Sequence, residues 1–505
     1  MKSSDHNQLQ SVVRRREILL SGILLLIGPV GCVAQQLQAD TSSCDPPFVV
    51  KPYLQLGNAA RLSRPERCVL MWHTEDLQDD FSVEVKLAKA ESWSTVKSID
   101  RQRVEVEGLK PHYVYRASIS GLPCGVEFDY RVLKAGHRVF TARARSRKST
   151  DQPYRFAALG DCGTNSPAQK AVAYSISKFQ PDFVFIPGDI VYMWGRLSEY
   201  RENFFPVYNA DDASAELGAP LLRSTLFFAG LGQHDTGYVF PSLDHADLDK
   251  FPDSLGYYLY WSLPLNGPTA QVGQPERFVL RGEPRRRQAF MSAAGDRFGQ
   301  MAHYSFDYGN SHWTILETWN PAVDWNDPHL RRWLAEDLAA AKDATWKFVG
   351  CYLPPFSFNA KGKPVVQKMR IVADLFEQGQ VDIVFCGFMH WYQRTFPLTF
   401  TARPRPVGEV KHYNTVIEGD FTIDRQFDGR SRTTPAGVIY ITTGGGGAPA
   451  QYRDEQADPR TGRQFTAKFI EETYGFTAVE VTGKKLAVRQ ISKNGKVCDR
   501  FTITK

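Results

Sequence analysis

Apolar and polar residues alternate along the first stretch that follows the N-terminal leader. "RCVLMWHTE", "FSVEVKLA", "HYVYRASISGL" and "FDYRVL" each switch side chain by side chain, and Gly, Pro and polar turns separate them, all between Pro47 and Ala144. A period of two over about 100 residues predicts a β-sandwich. "ARSRKSTDQ", Ala144 to Gln152, then reads as a polar, basic linker. Beyond it the alternation gives way to continuous apolar runs that end in Gly-Asp: "YRFAALGD" (Tyr154–Asp161) and "DFVFIPGD" (Asp182–Asp189), with a helical pattern from Pro167 to Phe179 between them. Strand, helix, strand with fully apolar strands predicts a parallel βαβ unit. Further strands are expected at "TLFFAGL", "HYSFDYG", "HWTILETW", "WKFVGCY", "VDIVFCG" and "GVIYITTG", and helices at Asp327–Lys342 and Val365–Gln378. The tail returns to antiparallel hairpins with Gly-Lys and Asn-Gly turns.

Length and charge narrow the picture. A chain of 505 residues with 42% hydrophobic residues can bury large cores in more than one domain. The net charge is +6, and the first 32 residues hold four cations against two acids, so the remainder carries about +4. That is too mild to predict a nucleic-acid partner, and it is compatible with a small anionic substrate. "RRREILLSGILLLIGPVGC" joins a basic cluster to an apolar run of about 14 residues and then small residues. This predicts an export signal over 1–34, because the run is too short to span a bilayer. Arg15-Arg16-Glu17-Ile18-Leu19 fits the twin-arginine pattern, and Cys32 is a candidate lipidation site, the one expected route to a membrane. The expected location is periplasmic, secreted or on the outer surface. The eight cysteines contain no CxxC, so a cysteine zinc site is not expected. An oxidising compartment permits one or two disulfides, while Cys351 and Cys386 lie in apolar runs and read as buried thiols.

The candidate chemistry sits where apolar strands end, as ligands do in α/β sheets. Those ends read "GDCG" (Gly160–Gly163), "GDIVY" (Gly188–Tyr192), "GQHD" (Gly232–Asp235) and "GFMHWYQR" (Gly387–Arg394). Carboxylate, phenol and imidazole together suit a hard trivalent metal such as Fe(III) or a borderline divalent one. "GGGG" at Gly444–Gly447 is a loop after a strand, and alone it is weak evidence for phosphate binding.

In order, with "VGCY" (Val349–Tyr352), these blocks resemble the GDxG, GDxxY, GNH(D/E), VxxH and GHxH blocks of the purple acid phosphatases, within the calcineurin-like metallophosphoesterases. "YSFDYGNSHWTILET", "PPFS", "TGGGG" and the closing "YGFTAVEV" and "NGKVCDRFTI" agree with it, so the resemblance covers roughly residues 47–505. It implies a mixed α/β fold: a fibronectin-III-like sandwich over 45–146, then a four-layer αββα domain over 153–505. It implies that Asp161, Asp189, Tyr192 and His390 bind one iron ion. The second-metal positions fall on Asp189, Gln233, Tyr352 and Phe388. Gln233 keeps an amide oxygen on a longer stem, Tyr352 is a weak ligand or merely bulk, and Phe388 cannot bind a metal. A second divalent ion (Zn, Mn or Fe) is therefore in doubt. His234 matches the substrate-facing histidine, a donor to phosphate or to the leaving group. The histidines that follow VxxH in the family are absent from "LPPFS".

The implied function is hydrolysis of phosphate esters by a metal-bound hydroxide at a mononuclear site. Two other readings stay open: a mononuclear iron enzyme of redox or other non-phosphate chemistry, and a non-catalytic binding protein. His303 and His312 read as structural histidines, and "RGEPRRRQ" (Arg281–Gln288) as a solvated insertion.

Overall fold

The computed structural model describes residues 47–239, 242–269, 279–321, 323–357, 367–412, 415–451, 464–471 and 474–505. The expected export signal, Cys32 and Cys44 lie outside them. No helix among the described residues is long and apolar enough to cross a membrane.

The alternating segment forms two four-stranded antiparallel sheets. One runs Val50–Gln55, Glu66–Glu75, His112–Leu122, Ile99–Val104, and the other Ser94–Thr95, Phe81–Leu87, Glu127–Lys134, His137–Arg145. Their inward side chains meet at Trp72, which stacks on Tyr115 at 5.1 Å and meets Phe81 of the other sheet edge-on at 5.6 Å. The stretch read as a polar, basic linker is tied down at Arg147. Its guanidinium is buried against the equally buried Glu66 carboxylate at 2.6 Å and donates to the Asp307 carbonyl at 3.0 Å. A buried cation with a complete set of acceptors is a structural joint.

The rest of the chain builds two larger sheets. In the first, Leu226–Ala229, Phe183–Ile186 and Tyr154–Ala158 run parallel, and the C-terminal hairpins Gly475–Thr482, Lys485–Ser492 and Val497–Thr504 extend the edge in antiparallel fashion. In the second, Ser311–Leu316, Trp346–Cys351, Ile383–Cys386 and Ile439–Thr443 run parallel. The sheets face each other: Phe156 of the first contacts Trp313, Phe348 and Phe385 of the second at 5.0–5.6 Å. Strands Phe183–Ile186 and Trp346–Cys351 are buried at every position, which is why they read as unbroken apolar runs. The architecture is mixed α/β, as the apolar runs and the resemblance implied.

Helices are where capping chemistry puts them. Ser166 caps Pro167–Phe179 by accepting from the Gln169 amide, and Asp327 caps Pro328–Ala340. The helix expected over Val365–Gln378 is a 3-10 turn, Lys368–Val372, followed by a short α-helix, Ala373–Gln378, and Val365 and Val366 fall outside the described residues. The Arg-rich run expected to be a solvated insertion opens a helix, Pro284–Ala294, whose Arg286 bonds Glu107 of the sandwich at 2.8 Å. His312 is the expected structural histidine, held between Asp307 at 2.8 Å and Asp337 at 3.0 Å. The six cysteines among the described residues are all unpaired, and Cys351 and Cys386 are buried register partners with sulfurs 3.6 Å apart.

Candidate metal centre

Parallel strands deliver their C-terminal ends to one edge, so residues far apart in sequence meet there. Asp161 and Asp189 follow two neighbouring strands of the first sheet, and His390 follows Ile383–Cys386 of the second. Both aspartates sit in the left-handed region, at φ 58° and 51°. Such backbone is uncommon for residues with a side chain and gathers at functional sites, where surrounding contacts impose it. Here each turn bends sharply off its strand and aims its carboxylate across the edge. A Cβ added at Gly232 would run into the Asp189 carboxylate and amide, so only glycine lets that strand end approach so closely.

The phenol of Tyr192 is the meeting point. Its oxygen lies 3.3 Å from Asp161 Oδ1, 3.1 Å from Asp189 Oδ2 and 3.2 Å from His390 Nε2. His390 Nδ1 donates to the Pro449 carbonyl at 2.7 Å, which turns Nε2 toward the other three groups, 3.5 Å from Asp161 Oδ1: a donor to Asp161 when the ring is protonated, a lone pair when it is neutral. The remaining oxygen of Asp161 accepts from the Phe388 backbone N–H at 3.0 Å. Burial first, and then the neighbouring Asp189 charge, push the Asp161 carboxyl up to about 6, against the hydrogen bond from His390. Burial and the two carboxylates hold the Tyr192 phenol well above its ordinary range. Burial lowers the His390 imidazole, but its bond to Asp161 and the two aspartate charges outweigh that and raise it. Buried anionic groups that raise one another are a donor set suited to a cation. Two carboxylates, a phenol and an inward imidazole nitrogen fit an iron-type ion. Among the described residues no group of three or more His, Cys, Asp and Glu side chains is placed to hold a metal ion by itself.

The four residues expected as ligands are thus brought together, and the two weaker candidates part ways. Tyr352 is buried, and its hydroxyl donates to Asp189 Oδ2 at 2.5 Å. Its ring meets Phe388 edge-on at 5.3 Å, and Phe388 contacts Trp319 at 6.2 Å. These aromatics pack together beside Asp189. Phe388 holds φ 72°, an outlier for so bulky a residue. Gln233 reaches the same edge half-buried, just before a short 3-10 turn, His234–Thr236. His234 lies over the Tyr192 ring at 4.4 Å. Its Nδ1 donates to the Met193 carbonyl at 2.8 Å, and its Nε2 stands 3.9 Å from Asp189 Oδ2.

One residue of the site carries a role that sequence reasoning did not assign. Asp235 is fully buried and accepts the backbone N–H groups of Ile190 at 2.9 Å, Val191 at 3.4 Å and Gly232 at 2.8 Å. It clamps the Asp189–Tyr192 turn to the His234 turn. Its place as the fourth residue of "GQHD" was the available signal. The Gly-rich loop also has a packing role: the Gly446 amide donates to the Gly160 carbonyl at 3.0 Å, and the Ala448 amide to Asp161 at 2.9 Å.

Comparison with known proteins gives the family. Residues 154–392 match the calcineurin-like phosphoesterase family model, and residues 437–500 match the C-terminal model of iron/zinc purple acid phosphatase-like proteins. The chain belongs to the purple acid phosphatase-like calcineurin-type phosphoesterases. It is 28% identical over 270 residues to purple acid phosphatase 21 of Arabidopsis thaliana, covering 53% of this chain and 50% of that protein. It is 30% identical over 370 residues to purple acid phosphatase 23 of the same plant, covering 68% and 62%. A solved purple acid phosphatase from yellow lupin seeds shares the fold at TM-score 0.60 and 15% identity, covering 90% of this chain and 74% of that one. The chain spans about a third to a half of the length of the first curated relatives it matches. The phosphoesterase family model spans the strand ends that carry Asp161, Asp189, Tyr192 and His390.

Proposed function

We propose that this phosphoesterase-family chain is an exported phosphate-ester hydrolase that works with one iron-type ion held by Asp161, Asp189, Tyr192 and His390. The observation that carries the reading is the convergence of those four side chains on the Tyr192 oxygen, with His390 Nε2 turned inward. An ion bound there supplies Lewis acidity, polarising a phosphoryl oxygen and making water a nucleophile near neutral pH. The second ion of a two-metal clamp has no place to bind, because Tyr352 already occupies Asp189 Oδ2 and Phe388 offers no donor.

The chain's own residues do the rest. Tyr192 and Asp189 orient each other, and the backbone N–H of Phe388 holds Asp161 in position. His234, anchored through Nδ1, presents Nε2 to the mouth of the site, where it donates to a phosphoryl oxygen or hands a proton to the leaving group. The aromatic wall of Tyr352, Phe388 and Trp319 excludes water from one side. The substrate is a small phosphorylated molecule. Export rests on the basic, apolar, small-residue order of residues 14–32.

The test is turnover of a panel of phosphomonoesters and phosphodiesters by the metal-loaded protein and by Asp161→Asn. The reading expects hydrolysis that is lost with the metal in the variant. Stoichiometric metal without turnover of any ester overturns it.

A further inference from the structure

Of the chain's ten tryptophans Trp194 is the most exposed; Trp93 and Trp333 are half-buried and the others buried. A lone exposed apolar side chain is ordinary, but Trp194 has a particular setting. It is 37% exposed, Met193 beside it is 47% exposed, and the pair directly follows Tyr192. The Met193 carbonyl accepts from His234, so this turn borders the proposed proton donor. The backbone is held rigid by Glu199, whose carboxylate accepts from the N–H groups of Met193 at 2.6 Å, Trp194 at 3.1 Å and Arg196 at 2.9 Å. The indole is backed on one face by Phe251, stacked at 4.5 Å and 21°. A fixed, half-backed aromatic surface is a stacking platform with little ordering cost left to pay.

We propose that Met193 and Trp194 form the subsite for a planar aromatic leaving group, so that phosphate monoesters of aromatic alcohols are preferred over those of aliphatic alcohols. This rests on the phosphate-ester hydrolase reading. In the reaction, water adds to phosphorus and the bond from phosphorus to the aryl oxygen breaks, its electron pair staying on that oxygen. The aryl oxygen then takes a proton and leaves as the free phenol, with inorganic phosphate as the other product. Phenolic oxygens, with pKa near 10, leave with far less protonation than alkoxides do. That suits a site whose "LPPFS" segment supplies no imidazole.

The experiment compares kcat/KM for 1-naphthyl phosphate and glycerol 2-phosphate in the metal-loaded wild type, Trp194→Ala and Trp194→Phe. It adds calorimetric binding of phenylphosphonate against methylphosphonate. Trp194→Ala is expected to lower both aromatic-to-aliphatic ratios roughly tenfold, and Trp194→Phe to keep most of the preference. Unchanged ratios in Trp194→Ala, with turnover and melting temperature intact, overturn the subsite alone. Absence of turnover with both esters overturns the hydrolytic reading on which it rests. A wild-type dimer that becomes monomeric in Trp194→Ala assigns the indole to an interface between copies, and also overturns the subsite.

Discussion

The Tyr352 hydroxyl donates to Asp189 Oδ2 at 2.5 Å, on the same oxygen that faces the Tyr192 phenol at 3.1 Å. Two tyrosines therefore converge on one oxygen of Asp189, the residue that the resemblance to purple acid phosphatases places in both metal positions. Burial, followed by the Asp189 and Asp161 charges, holds the Tyr352 phenol well above its ordinary range, so it stays protonated and acts as a hydrogen-bond donor to Asp189.

Removing that plug should open a second site. The double variant Tyr352→His, Phe388→His restores two imidazoles beside Asp189 and is expected to bind close to one additional equivalent of divalent metal by elemental analysis. Tyr352→Phe, which removes the donor without adding a ligand, should gain none. A double variant that stays at the wild-type stoichiometry would show that backbone geometry, and not these two side chains, closes the site.

His234 is expected to act on substrate without holding the ion. His234→Ala should lower kcat about 10²–10⁴-fold, the usual range for a lost acid–base group, while metal content stays at the wild-type value. Loss of metal in parallel with activity would reassign His234 as a ligand.

Asp235 makes a different claim, about positioning. Asp235→Ala leaves three buried N–H groups without their acceptor, which costs roughly 2–5 kcal/mol. Denaturant unfolding of the metal-free protein should show that loss, with a smaller one in Asp235→Asn, whose amide keeps one oxygen. A stability change within about 0.5 kcal/mol in Asp235→Ala would remove the clamp from the account.

Stability should also follow the His312 network. His312 faces Asp307, Asp337, the Arg61 guanidinium at 3.0 Å and the Thr314 hydroxyl. Burial lowers the imidazole, but the bonds to the two aspartates outweigh it and raise it above 6.5. Its contribution is therefore complete below pH 6.5 and is lost as pH rises through the raised folded value. Asp337 is shifted the other way: burial raises it, but hydrogen bonds from His312, Ser305 and Thr314 hold it below 3.8. Its contribution is complete above pH 3.8 and is lost as pH falls through the lowered value. Denaturation midpoints across pH should show the difference between wild type and His312→Gln largest between these limits and shrinking on both sides. A difference that grows above pH 7 would contradict the assignment.

How much of this was legible in the sequence follows from the range of each interaction. The strand ends were readable because an apolar run closed by Gly is a local signal: two such runs end in Gly-Asp and carry Asp161 and Asp189, and two more carry His234 and His390 just after the Gly. The sheets were readable from period and from apolar continuity. The Tyr352–Asp189 bond joins residues 163 positions apart, and no local pattern encodes it. Arg147 shows the opposite failure. A basic, polar stretch reads as a linker, yet its guanidinium is buried because Glu66, 81 residues earlier, supplies the matching carboxylate. The Gly-rich loop was weak evidence for phosphate binding, and in the fold its Gly446 amide donates to Gly160 while the Ala448 amide just after it donates to Asp161.

The central claim is that Asp161, Asp189, Tyr192 and His390 hold a single ion, and that Tyr352 and Phe388 exclude a second. Elemental analysis of wild-type protein, loaded with excess iron and zinc and then freed of loose metal, tests it most directly. The account predicts one equivalent per chain, falling to near zero in His390→Ala. Two equivalents in the wild type, or one that survives in His390→Ala, would contradict it.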